Sequence, residues 1–351
     1  MGSNCFGNYF QFTTWGESHG PEMGVVIDGC PPGIALDAAC ITKALAKRAP
    51  GQTPWTSPRK EKDQAEILSG LYEGVTTGHP IAIRIQNLDA RPQSYKGLEN
   101  VLRPGHANSS YLKKYGIYDP RGGGRASARE TVCRVAAAAV AEMILPGIEV
   151  IAYLKEAGGV AAEKVDESFL KESRIFCPDP DAESNMMAAI EKARDNKDSV
   201  GGIVEVAARN VPAGLGDPVY QKLEANLAFA MLSIPASKGF EIGSGFYSAK
   251  MKGSEHNDPF ISLTETASNY AGGTLGGIST GMPLVCRVAF KPAASIGKQQ
   301  QSVTLSGEKT TYQLPEGSRH DPCVAIRAVP VVRAMMLLVL ADAYVKRFCP
   351  F

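Results

Sequence analysis

Apolar and polar residues alternate with a period of two in several short runs, the pattern of strands with one buried face. Residues 9–15 and 24–28 (GVVID) form the first two such runs. Residues 67–72, 80–86, 149–154, 202–206 and 283–290 read the same way, and 233–245 reads as a loop and strand rich in small residues. Elsewhere the apolar period is helical. Asp37 is placed to cap a helix running to about Arg48, with Cys40, Ile41, Ala44 and Leu45 on its buried face. An Ala-rich helix follows Ser127, whose N-cap role Glu130 would complete as a capping box, and Pro146-Gly147 stops it after Leu145. Residues 164–196 are charged with a helical period, and 218–232 form an apolar helix. Near the end, Asp321 as N-cap and Pro322 as first residue open a long apolar helix that Pro330 would kink.

Three stretches lack any apolar period. Residues 49–64 (APGQTPWTSPRKEKDQ) form a loop long for a compact domain. With Arg48, Arg59, Lys60 and Lys62 it reads either as a mobile basic lid over an anion or as a disordered basic loop. Residues 87–116 are a second polar loop, and 297–318 a polar loop or hairpin. The 351 residues suffice for one large domain or two.

Charge narrows the function classes. The 37 Lys and Arg against 36 Asp and Glu argue against a bulk nucleic-acid or membrane-surface binder, so basic clusters mark local anion sites. Eight cysteines without CxxC spacing imply a reduced, cytosolic protein with no structural zinc. The N-terminus lacks an apolar signal-peptide region, and the most apolar run, residues 334–341, is too short to span a bilayer.

The candidate chemistry centres on DPRGGGRASARET, residues 119–131. Gly122, Gly123 and Gly124 free the backbone, Arg121, Arg125, Arg129 and Arg134 stand beside them, and a helix start supplies N–H donors for an anion. The plainer reading is a glycine turn with solvated arginines. Neither a Walker A loop nor GxGxxG is present. His19 in GESHG is an exposed loop histidine, a surface turn residue or a proton donor. His106 in RPGHA is rigidly held, its neutral form favoured by nearby arginines unless an anionic ligand reverses that. No metal-ligand cluster and no GxSxG elbow appears, so covalent catalysis has no visible basis. Gly-rich passages at 122–124 and 271–281 and a basic small-residue corner at 291–295 suit a planar cofactor. These features describe an enzyme for a small phosphorylated, carboxylated metabolite, with a flavin as the planar group such walls accommodate. Finally, Arg125-x-Ser127 and Arg319-x-Asp321 echo each other before two long helices, an internal duplication whose halves could face one anion site.

GNYFQFTTWGESHG, RPGHA, YDPRGGGRASARET, LGGISTG and RHDPC, in this order over nearly the whole chain, resemble the chorismate synthase family. The resemblance implies an α+β fold of one domain over residues 1–351. This is a β-α-β sandwich, helices between two antiparallel sheets, with internal pseudo-duplication, usually assembled as a cytoplasmic homotetramer. It implies a lyase of the shikimate pathway that converts 5-enolpyruvylshikimate 3-phosphate to chorismate and phosphate by anti-1,4-elimination. The family needs reduced FMN without net redox change. By motif, His19 resembles the histidine that protonates the reacting system. His106 resembles the one that donates to the flavin pyrimidine edge, and Asp321 the carboxylate near flavin N5 that helps move the substrate proton. Arg48, Arg129 and Arg134 resemble substrate ligands. Arg125, Ala126, Ser127, Ala236, Gly276, Lys291, Pro292, Ala293, Ala294, Ser295 and Arg319 resemble flavin contacts. Many relatives carry Arg at Pro54, where Arg59 would serve instead. Many carry Asn at Pro235, where the backbone would serve. NADPH reduction of the flavin on this chain and external supply of reduced FMN both stay open. A flavin oxidoreductase would need a nicotinamide fingerprint, and a nucleic-acid-binding module would need stacking aromatics among the arginines.

Overall fold

The alternating runs become two five-stranded antiparallel sheets. In the first, β1 (Cys5–Phe6), β2 (Gln11–Gly16), β3 (Glu22–Asp28), β4 (Ala65–Ile67) and β5 (Ile81–Gln86) stand in the order β1-β2-β3-β5-β4. In the second, β6 (Glu149–Ala157), β7 (Val160–Ala161), β8 (Gly202–Arg209), β9 (Ser237–Ile242) and β10 (Leu284–Phe290) stand in the order β7-β6-β8-β10-β9. The computed structural model describes residues 3–51, 53–57, 59, 61–95, 97–314 and 321–349.

Register follows burial. Met23, Val25 and Ile27 of β3 face Ile85, Ile83 and Ile81 of β5, and Val204, Val206 and Ala208 of β8 face Val288, Cys286 and Leu284 of β10. All twelve are buried, so a one-residue slip would turn each row to the wrong face. Truncating one, as in Ile83→Ala, would cost about 2–5 kcal/mol.

Between the sheets lie α1 (Ala38–Arg48), α3 (Thr131–Met143) and α6 (Val324–Phe348). The remaining longer helices are α2 (Asn108–Tyr115), α4 (Pro180–Asp195) and α5 (Leu223–Leu232). α3 packs on β2 and β3, α6 packs on β6, β8 and β10, and the two helices pack on each other. A helix enclosed on all sides loses its polar stripe. Val132 to Ala141 of α3 is accordingly buried except Arg134, and α6 continues through Pro330 with apolar residues all round. At 25 residues α6 is long and apolar enough to cross a bilayer, unlike the run expected from sequence, yet 83% of its most apolar window is buried in this fold.

The duplication is visible in the connectivity. Each half runs strand, antiparallel neighbour, helix, outer strand, returning inner strand, helix: β2-β3-α1-β4-β5-α3 and β6-β8-α5-β9-β10-α6. The fold is thus the expected α+β sandwich of two similar halves.

Local differences have local causes. The strand expected over residues 67–72 breaks at Gly70, whose φ is +85°. Leu71–Tyr72 then pairs with Val75–Thr76 in a hairpin turned by Glu73 and Gly74, both with positive φ. Cys40 is exposed; the inner face of α1 is Ile41, Leu45 and Arg48. The polar stretch 87–116 contains α2, and 297–318 holds a hairpin, Gln300–Val303 with Lys309–Tyr312. The long basic loop is tied down at several described points. Trp55 is buried, donates from Nε1 to Glu191 at 3.0 Å and lies under the Arg174 guanidinium. Glu61 accepts the backbone N–H groups of Leu88 and Asp89.

Candidate active site

The two helix starts that echo each other in sequence meet at one cavity of about 170 Å³. Gly123, Ser127, Ala128 and Arg129, leading into α3, form one wall; Asp321 and Arg327, at the start of α6, form another. Ser18 and His19 from the β2–β3 loop, Pro50, Ser57 and Arg59 from the basic loop, and Arg91, Tyr95, Ser295 and Leu314 complete the lining. Four arginines, Arg59, Arg91, Arg129 and Arg327, and one carboxylate residue, Asp321, therefore line the cavity.

Neither helix starts where its cap residue suggests. Ser127 Oγ accepts Arg129 N–H at 3.2 Å and caps a 3-10 turn, Ala128–Glu130, before α3 begins. Glu130 does not close the capping box. Its carboxylate accepts from Thr14 Oγ1 and Arg134 Nε, both at 2.8 Å, because a buried carboxylate needs strong donors. Asp321 likewise leaves the helix end, whose N-cap is Cys323. Its Oδ1 accepts the Ser57 N–H at 2.7 Å and its Oδ2 accepts Arg327 Nη1 at 2.9 Å.

His19 is half-buried rather than exposed. Its Nδ1 accepts the backbone N–H of Arg91 at 3.1 Å, which leaves the proton on Nε2. Tyr95 packs edge-on against the ring at 5.2 Å, and Gly122 passes so close that a Cβ there would stand 2.5 Å from His19 Cδ2. His106 Nδ1 accepts the Asn108 N–H at 3.3 Å, so it too carries its proton on Nε2. Burial first, then the charges of Arg103 and Lys291, pushes His106 down to about 3 and keeps it neutral. It does not line the cavity but neighbours it. Arg103 of the same motif donates to Gly122 O, and Lys291 Nζ donates to Gly105 O at 2.8 Å. Ala294 would lie 3.1 Å from a Cβ on Gly105, and Ala236 O accepts Lys291 N–H at 3.0 Å. The segments around residues 103–107, 235–236 and 291–295 are thus stacked in succession.

The arginines divide. Arg129, 3% exposed, lines the cavity and is braced by Asp63, by Asn87 Oδ1 at 2.8 Å and by Gln86 O. Arg59 also lines it, held by Glu61 and Ser18 O. Arg48 sits behind the wall, with Asp63 at 2.8 Å. Burial, helped by the smaller repulsions of Arg327 and Arg129, outweighs the attraction of Asp63 and pushes it down to about 10. Arg125 and Arg134 do not face the cavity. Arg125 holds Thr14, Gly16 O and Asn4, tying the start of α3 to β2. Arg134 holds Glu130 and Ser233. Gly276 is exposed in a hairpin turn whose neighbour Gly277 packs on Lys222 and accepts the Leu223 N–H. Arg319 lies outside the described residues. Sequence reasoning missed Asp63, Arg91, Tyr95 and Arg327. Arg327 had a signal, an arginine in the first turn of an apolar helix; Asp63 was one charge among many in its loop.

Three buried polar atoms here lack partners among the described residues: Ser18 Oγ, Arg327 Nε and, behind the wall, Arg48 Nε. Unmet donors around one cavity fit an anionic ligand better than a closed polar core.

A sequence profile described as chorismate synthase matches residues 10–345. The chain belongs to the chorismate synthase family. A chorismate synthase of Protochlamydia amoebophila is 57% identical over 99% of both chains. One from Gloeothece citriformis is 51% identical over 97% of this chain and 96% of its own, and one from Methanosarcina mazei is 48% identical with the same coverage. A crystal structure of chorismate synthase superposes with a TM-score of 0.77 at 31% identity, covering 97% of this chain and 93% of that one. The chain is therefore a lyase of the chorismate synthase family, and the oxidoreductase alternative falls. Chorismate synthases are flavin-dependent, and the donors and small-residue segments just described fit a planar anionic cofactor.

Proposed function

We propose that the chain eliminates phosphate from 5-enolpyruvylshikimate 3-phosphate in the anti-1,4 sense, giving chorismate, with reduced FMN as cofactor. One observation carries the reading: both helix starts and the His19 loop share a cavity bordered by four arginines and one carboxylate. Guanidinium groups match phosphate and carboxylate, so Arg59, Arg91, Arg129 and Arg327 hold the substrate anions and stabilise the departing phosphate. Arg59 stands in the cavity wall, which supports its serving where Pro54 cannot. Arg48 acts from behind, and Arg134 contributes through Glu130. His19 offers its Nε2 proton beside the substrate. Asp321, oriented by Ser57 and Arg327, accepts the ring proton.

The segments 103–107, 235–236 and 291–295 would hold the flavin together with Arg125, Ala126, Ser127, Gly276 and Arg319. Bound reduced FMN supplies electron density that weakens the allylic carbon–oxygen bond and ends with no net redox change. His106 would donate from Nε2 to its pyrimidine edge as a neutral imidazole; an anion beside it would raise its affinity for a second proton. The basic loop, anchored through Trp55 and Glu61, would cover this site. A cytoplasmic homotetramer completes the reading, supported by the exposed apolar side chains Phe246, Tyr247, Phe260, Ile261 and Leu263.

An anaerobic assay with photoreduced FMN and the enolpyruvyl substrate tests the function. Phosphate and chorismate should appear in equal amounts while the flavin stays reduced. Absence of phosphate release, or flavin oxidation in step with product, would overturn it. Oxidised FMN with NADPH, run alongside, separates self-reduction from external supply.

A further inference from the structure

The side chain of Asn87 joins two parts of the site that the chain delivers separately. Its Oδ1 accepts Arg129 Nε at 2.8 Å. Its Nδ2 donates to Glu17 O at 3.1 Å and to Gly20 O at 2.9 Å, the two flanks of the loop that carries His19. The amide orientation is dictated by its neighbours: Arg129 Nε can only donate and both carbonyls can only accept. Four residues further on, the backbone N–H of Arg91 meets His19 Nδ1 at 3.1 Å. One short segment therefore sets where the His19 loop stands, which nitrogen of its ring is protonated, and how far that ring lies from the Arg129 guanidinium.

We propose that Asn87 is a positioning residue that holds the His19 loop in register with Arg129. This rests on the proposed function for its kinetic consequence, though not for its structural one. Asn87 has the capacity for the task because both N–H groups and the carbonyl oxygen are engaged. Cutting only the loop contacts should uncouple proton donation from anion binding.

Asn87→Asp makes that cut: a carboxylate still accepts from Arg129 but faces the Glu17 and Gly20 carbonyls without a proton. Asn87→Ala removes both contacts. The first readout needs no substrate or flavin. In the histidine 15N spectrum of the free protein, with His19 assigned by a His19→Gln variant, His19 should show a proton on Nε2. In Asn87→Asp that signature should give way to a tautomer mixture, at unchanged circular dichroism. The second readout is kinetic. In Asn87→Asp, kcat should fall by about tenfold or more while KM stays within about threefold; in Asn87→Ala, KM should rise as well. An unaltered His19 tautomer signal, or a kcat within about twofold of wild type in the Asp variant, overturns the proposal. Absence of elimination in the wild-type protein would overturn the functional reading instead, and the 15N spectra would still decide the role of Asn87.

Discussion

Asp63 meets Arg48 at 2.8 Å with at most 1% of either side chain exposed, and the same carboxylate receives Arg129 from its other side. Burial alone would raise the Asp63 carboxyl, but the two cations outweigh it and hold it below its ordinary value of 3.8. A carboxylate depressed in the folded state contributes stability that is present above its unfolded value and lost as pH falls through the folded one. Acid should therefore release this pair below about pH 4. Asp63→Ala, which strands two buried cations, should cost about 3–5 kcal/mol. Urea unfolding at pH 7 and pH 3 checks both points: the wild-type advantage over Asp63→Ala should shrink at the lower pH.

His106 has linkage of the same sign in a higher pH window. An imidazole held neutral down to about 3 binds no proton across a range where the unfolded chain does. Folding stability from this group thus falls as pH drops from about 6.5 toward 3. His106→Ala should remove that acid sensitivity and also lower turnover greatly while FMN still binds. Wild-type turnover in the variant would remove His106 from the reaction.

Gly122 and Gly124 both have positive φ, but only Gly122 touches His19. Gly124→Ala meets open space and should cost about 1–2 kcal/mol of backbone strain. Gly122→Ala pays a similar strain and also drives its methyl into the imidazole. Its kcat should fall about 100-fold more than that of Gly124→Ala at comparable melting temperature. Equal kinetic effects of the two variants would show that the His19 contact is idle.

Arg129 and Arg134 lie five residues apart and have different surroundings. Arg129→Lys, which loses the planar fork in the cavity, should raise KM about 10- to 100-fold. Arg134→Lys should lower the melting temperature and leave KM within about twofold, since its partners are Glu130 and Ser233. Matching KM changes would place Arg134 at the substrate after all.

The longer strands of the two sheets, the helix capped by Asp37 and the two helices near the centre and end of the chain were legible because each has its own short-range period; the two-residue strands Cys5–Phe6 and Val160–Ala161 are too short to show one. Motif order was legible too, since it needs no coordinates. The strand break at Gly70 and the late start of α3 were not, because burial of Glu130 and a left-handed glycine override local preference.

What the sequence by itself determined is the inventory: alternating strands, two apolar helices, a glycine loop among arginines, and two histidines in tight loops. Only the tertiary structure decided which arginines face the cavity. Residues adjacent in sequence point to different neighbours once α3 is enclosed, so Arg129 reaches the cavity while Arg125 and Arg134 bind other parts of the fold. The Asp63 and Asn87 contacts were also decided there. A buried polar or charged group takes whichever complementary partner the packed chain brings near, and those partners lie 15 to 70 positions away.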